Sequence, residues 1–145
     1  MQPVVNAFHH QPTGSWTYVV MDPGTRAAAV SAAGASVLWT LEPHAHADQL
    51  SAAQDLRTTR GGSVAIGRGV LDVQRTFKRI FGLDAGFAAD GSDFDRLLAD
   101  DERLSLGQFE IQVLPVPGHT NDSVAYLVGD AVFVGDTIFM PDGGT

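Results

Sequence analysis

The sequence predicts one α/β (α+β) layered domain, rich in short strands with helices between them. Three observations carry that reading. Apolar, aromatic and β-branched runs recur between Gly, Pro and Asp punctuation, which marks strands and turns. One later segment places apolar residues at helical spacing instead. The 145 residues, 44% of them hydrophobic, suffice for one sizeable core, and no linker, repeat or low-complexity tract divides them.

Taken in order, residues 4–8 read as a first edge strand and Ser15-Trp16-Thr17-Tyr18-Val19-Val20-Met21 as a second. Asp22-Pro23-Gly24-Thr25 is a turn: Pro fixes φ at the second position and Gly accepts a positive φ at the third. A hairpin then returns along residues 26–30. His9 and His10 precede the turn-like Gln11-Pro12-Thr13-Gly14 and read as surface residues. Trp39-Thr40-Leu41 is an apolar strand leading to Glu42-Pro43-His44. Leu50, Ala53 and Leu56 keep helical spacing, which predicts a helix over 48–60 ended by Gly61-Gly62. Residues 63–66 form a short strand. Val70, Val73, Phe77, Ile80 and Phe81 make the apolar stripe of an amphipathic helix stopped by Gly82, and that stripe reads as core. Residues 84–95, rich in Gly, Asp and Ala, form a solvated loop whose acids belong to the surface. Leu104-Ser105-Leu106 and Phe109-Glu110-Ile111-Gln112-Val113 alternate around Gly107 as two strands and a turn. Residues 124–128 and 131–134, joined at Gly129-Asp130, complete a further hairpin.

A formal net charge of −8, with no Lys/Arg cluster, argues against nucleic acid or an anionic membrane as the main partner. The absence of cysteine excludes disulfides, thiolate metal sites and a cysteine nucleophile, so any metal must be held by nitrogen and oxygen. No stretch approaches the ~20 apolar residues that span a bilayer, and the N-terminus lacks a basic segment followed by a long apolar run. A cytoplasmic protein is the expectation.

The chemistry concentrates at strand ends. His44 and His46, two residues apart, lie on one side of an extended backbone, and Asp48 can add an oxygen ligand or cap the following helix. His119 sits in the tight turn of Val116-Pro117-Gly118-His119-Thr120, and Asp136 ends the apolar run Ala131-Val132-Phe133-Val134-Gly135-Asp136. Three histidines and two aspartates at the ends of strands favour a metal site.

These residues resemble the metallo-β-lactamase fold superfamily, marked by His-x-His-x-Asp-His, a distant Gly-His and a strand-terminal Gly-Asp. The segments from Ala45 to Ala53, Pro117 to Val124 and Gly135 to Asp142 look like its persulfide dioxygenase (sulfur dioxygenase) branch. The resemblance covers nearly the whole chain and implies a layered β-sandwich with flanking helices, the first half of an αββα domain, over residues 1–145. In that branch it implies a single Fe(II) held by His44, His119 and Asp136. His46 and Asp48 would then orient the ligands or a bound water.

Three departures bear on this. Gln49 stands where the family pattern has its last histidine, and a glutamine amide is a much poorer zinc ligand than imidazole. This damages a dinuclear hydrolase more than a dioxygenase. Between Val30 and Val37 only Ser31-Ala32-Ala33-Gly34-Ala35-Ser36 remains of a longer family connection. A parallel crossover needs a dozen or more residues, so the expectation is a lost edge strand or a rearranged pairing. The sequence also stops at Thr145, where the family continues with a second half, which leads us to expect a partial chain.

The resemblance implies oxidation of glutathione persulfide to sulfite and glutathione, with a small-molecule thiol or persulfide as partner and a homo-oligomer left open. The alternative is a zinc thioester hydrolase of the glyoxalase II type, in which His44, His46, His119 and Asp136 would hold the zinc. A third reading is an incomplete, non-catalytic domain that keeps the metal ligands.

Overall fold

The computed structural model describes residues 2–12, 15–29, 36–45 and 51–138. In chain order the elements are β1 (Val4–His10), β2 (Ser15–Met21), β3 (Ala27–Ala29), β4 (Ser36–Glu42), α1 (Ala53–Arg60), β5 (Ser63–Gly67), α2 (Val70–Ile80), β6 (Arg96–Leu98), β7 (Arg103–Leu106), β8 (Phe109–Pro115), β9 (Val124–Val128) and β10 (Ala131–Phe133). A 3-10 turn, Gly135–Thr137, follows.

Two sheets face each other. The first has the order β1-β2-β3-β4-β5-β6, antiparallel from β1 to β3 and parallel from β3 to β6. The second, β10-β9-β8-β7, is antiparallel throughout. Period-two alternation sends Leu104, Leu106, Ile111 and Val113 from β7 and β8 into the space between the sheets. There they meet Val20, Ala27, Ala29, Ala65 and Leu98 of the first sheet. Val64 and Ile66 alternate with Ala65 and are equally buried on the opposite face, where α1 packs against β4 and β5. The layering is therefore helix, sheet, sheet, in line with the sandwich expected from sequence.

Two side-chain donors stitch the sheets together. The Tyr126 hydroxyl donates to the Glu42 carbonyl at 2.8 Å, and Trp39 Nε1 donates to the Ser105 carbonyl at 3.0 Å. Burial, with Glu42 adding to it, pushes the Tyr126 phenol far above its ordinary range, so it remains a neutral donor.

Several expectations are corrected. The parallel pairing of β3 with β4 is kept, with Ala27 opposite Ser36, despite the short link. The reason is the length of β3. Returning along three residues takes only ~7 Å and stepping to the next strand ~5 Å, well within what the linking residues can span. Residues 30–35 themselves lie outside the described residues. Helix α1 starts at Ala53 rather than 48, with Ser51 Oγ accepting the Ala53 N–H at 3.0 Å. Its predicted end at Gly61 holds, at φ +76°. Strand β6 carries no signal in the sequence; three residues are too few to show alternation, and parallel pairing with β5 defines it. The acids of the preceding loop are exposed as expected, but Asp95 also accepts the Val64 N–H at 2.8 Å and pairs with Arg57 at 3.0 Å. Along α2 the apolar stripe is core only at its start: Val70 is buried, whereas Ile80 and Phe81 are 65% and 66% exposed. Strand β1 is the sheet edge as expected, and all seven of its residues are exposed.

The turn after β2 also differs. Gly24 does not take the positive φ; Arg26 does, at +61°. The Asp22 carboxylate makes the reversal, accepting from the Gly24 N–H at 2.8 Å, the Thr25 hydroxyl at 2.7 Å and, across the sandwich, the Gln108 N–H at 2.7 Å. Burial alone would raise its pKa, but the hydrogen bonds from Gln108, Thr25 and Gly24 hold it below the usual carboxylate range. A depressed folded pKa means that this carboxylate's contribution is complete above the unfolded value of ~3.9 and is lost as pH falls through the folded value. Urea unfolding in steps from about pH 5 to pH 2.5 should therefore show stability falling less steeply for Asp22→Asn than for wild type. Parallel slopes would remove Asp22 from the acid response.

No helix among the described residues is long and apolar enough to cross a membrane.

Candidate metal centre

Strand β4 ends at Glu42, and Pro43 turns the chain so that His44 follows it into the interior, 3% exposed. The Pro43 carbonyl accepts the Val124 N–H at 2.8 Å, tying the end of β4 to the start of β9. His119 belongs to the loop between β8 and β9. That loop is folded on itself by Gly118 N–H to the Thr120 carbonyl at 3.2 Å and Thr120 N–H to Ser123 Oγ at 3.2 Å. Asp136 is carried by the 3-10 turn after β10. Gly135 has φ +55°, and a Cβ there would lie 2.7 Å from Pro43 Cβ, so only glycine lets this turn close on the His44 segment.

Three side chains able to ligate a metal thus converge from both sheets. Asp136 Oδ2 lies 3.6 Å from His44 Nε2 and 3.7 Å from His119 Nε2, and one donor atom from each residue falls within 4.8 Å of the others. The two imidazole rings meet edge to face at 4.8 Å. Separations of 3.6 and 3.7 Å exceed hydrogen-bond length but approach the ~3.3 Å between donors held ~2.0 Å from one tetrahedral ion. Two imidazole nitrogens and a carboxylate oxygen suit a divalent ion of the zinc or iron class. His44 is almost wholly buried, while His119 and Asp136 each leave 31% of the side chain exposed. Solvent therefore reaches the site from the His119 and Asp136 side.

Of the residues singled out from sequence, the structure brings His44, His119 and Asp136 together. His46, Asp48 and Gln49 lie outside the described residues. The N-cap of α1 is Ala52. His9 and His10 remain on the exposed edge strand, His9 stacked on Trp16 at 4.6 Å. One buried group near the site was given no role from sequence. Asp122 accepts the N–H of Ala45, the neighbour of His44, at 3.1 Å. Its one sequence signal is a charged residue two positions before the apolar strand β9.

The sequence profile of the metallo-beta-lactamase superfamily matches residues 14–145. A Burkholderia pseudomallei protein named as a metallo-hydrolase is 49% identical over 128 residues, 81% of this chain and 44% of that protein. Glyoxylase B2 of Dictyostelium discoideum is 50% identical over 109 residues, 74% of this chain and 37% of that one. The chain thus spans less than half the length of these curated relatives. Among solved structures, ETHE1 of Myxococcus xanthus superposes with a TM-score of 0.71 at 23% identity, over 94% of this chain and 59% of that chain, a likeness of fold.

Proposed function

Because the chain belongs to the metallo-β-lactamase superfamily, we propose that His44, His119 and Asp136 hold one Fe(II) ion and serve the oxidation of glutathione persulfide. The observation that carries this reading is the ligand set itself. Two imidazoles and one carboxylate are the donors of non-haem iron sites that keep positions open for substrate and O₂. Gln49, in place of the family histidine, weighs against a second metal. Bound there, the ion would supply adjacent positions for the persulfide sulfur and O₂ and stabilise charge that develops during oxygen transfer.

The chain's own residues do the rest. His44, buried and fixed by the link between Pro43 and Val124, holds its nitrogen in place before any ion arrives. Asp136 contributes the negative charge of the set. The exposed flank formed by His119 and Asp136 leaves substrate a way in. In the overall reaction glutathione persulfide, O₂ and water give glutathione and sulfite with release of protons; the terminal sulfur is oxidised and O₂ reduced.

The second reading, a zinc thioester hydrolase of the glyoxalase II type, draws support from the names of the two curated relatives. There the ion would lower the pKa of a bound water toward ~7. O₂ separates the two. Protein loaded with Fe(II) is expected to consume O₂ and form sulfite in equal amounts when given glutathione persulfide. Loading without O₂ uptake, together with anaerobic hydrolysis of a glutathione thioester, would sink the dioxygenase reading and favour the hydrolase. In that case Gln49→His should raise hydrolysis sharply if two metals are required.

A further inference from the structure

We propose that Asp122 is the positioning residue of the metal centre, holding the turns that carry His44 and His119 in register; this rests on reading His44, His119 and Asp136 as metal ligands. Asp122 is three residues beyond His119 in the chain and 3% exposed. Its Oδ2 accepts the Ala45 N–H at 3.1 Å across 77 residues of sequence, so one side chain belongs covalently to one ligand turn and by hydrogen bond to the other. The contact begins a short run of cross-links. Val124 N–H reaches the Pro43 carbonyl and the Tyr126 hydroxyl reaches the Glu42 carbonyl, each at 2.8 Å. Residues 122, 124 and 126 are thereby fastened to residues 45, 43 and 42.

The opposite side of Asp122 is closed by backbone. A Cβ on Gly69 would lie 2.9 Å from both Cα and Cβ of Asp122, and one on Gly67 would lie 3.1 Å from its carbonyl oxygen. The turn between β5 and α2 therefore presses directly on Asp122 and keeps it against Ala45. Loss of such support displaces His44 relative to His119, and displacements well under 1 Å matter to donors that must share one ion. Asp122 Oδ1 accepts no hydrogen bond among the described residues, so the Ala45 contact uses a single acceptor oxygen. Asparagine can supply that.

The test measures Co(II) affinity by chelator competition, the Co(II) absorption spectrum, and hydrogen exchange of the Ala45 amide in the metal-free protein. For Asp122→Ala the expected result is an affinity loss of about 10–100-fold, an altered spectrum and faster Ala45 exchange. Asp122→Asn should stay within about threefold of wild type in affinity. Wild-type affinity and spectrum in Asp122→Ala, even with a lowered melting temperature, would reduce Asp122 to a packing residue and overturn the proposal. So would an Asp122→Asn as weak as the alanine variant. If Asp122→Ala does not fold, Gly69→Ala pushes on the same residue from behind, and unchanged affinity there is the overturning result. If wild type takes up no Co(II), the metal-centre reading fails by itself. Ala45 exchange then still decides whether Asp122 holds the His44 turn.

Discussion

A chain carrying Asp136→Asn is expected to bind Zn(II) or Fe(II) at least ~100-fold more weakly than wild type and to lose any metal-dependent turnover with it. Removing groups that merely orient a ligand costs about 10–100-fold in affinity, so removing a ligand should cost more. Asp136 faces both histidine nitrogens, at 3.6 and 3.7 Å, and is the anionic member of the set. The amide has nearly the same shape, and the side chain is partly exposed, so packing should survive. Chelator competition gives the affinity, and melting of the metal-free protein gives the control. Affinity within about threefold of wild type, at an unchanged melting temperature, would remove Asp136 from the ligand set.

Gly107→Ala is expected to lower the unfolding free energy by more than about 2 kcal/mol. Gly107 has φ +63°, a conformation that costs other residues about 1–2 kcal/mol. Space makes this worse: a Cβ there would collide with Asp22 Oδ2 and Thr25 Oγ1. Relief requires moving both the Thr25 hydroxyl and the Asp22 carboxylate, which disturbs the Gln108 N–H link between the turns of the two sheets. Gly82→Ala isolates the conformational part, since Gly82 has φ +60° and nothing within 4 Å of an added Cβ. Urea denaturation of both variants checks the difference. Equal losses would mean that the collision is absorbed without cost.

What the sequence made legible depended on how local the cause was. Strands β2, β7 and β8 announce themselves by composition and alternation, and the glycines at 61, 82, 107 and 129 all adopt the positive φ that ends an element or turns a hairpin. The clustering of His44, His119 and Asp136 is readable because strand ends carry them and the family resemblance ties them together. Features that arise from partners far away in sequence were not. The three residues of β6 become a strand through β5, and Asp122 acquires a purpose through Ala45, 77 residues earlier. The period of α2 showed which face is apolar, but not that Ile80 and Phe81 would be left exposed. The short link after β3 misled because the usual crossover length assumes strands of ordinary length, whereas β3 has three residues.

Strand β1 carries no Lys, Arg, Asp or Glu and no proline, and among the described residues its outer edge pairs with no strand. Such an edge lacks the usual guards against another strand laying itself alongside. Two copies could add edge to edge, with Val4, Val5 and Phe8 already bare. What opposes their approach is the whole molecule's charge of −8. That repulsion reaches ~30 Å in 0.01 M salt but only ~3 Å in 1 M. Rising ionic strength is therefore expected to weaken the repulsion between two such edges, and light scattering in about 0.01 M and about 1 M salt would show whether the chain then associates.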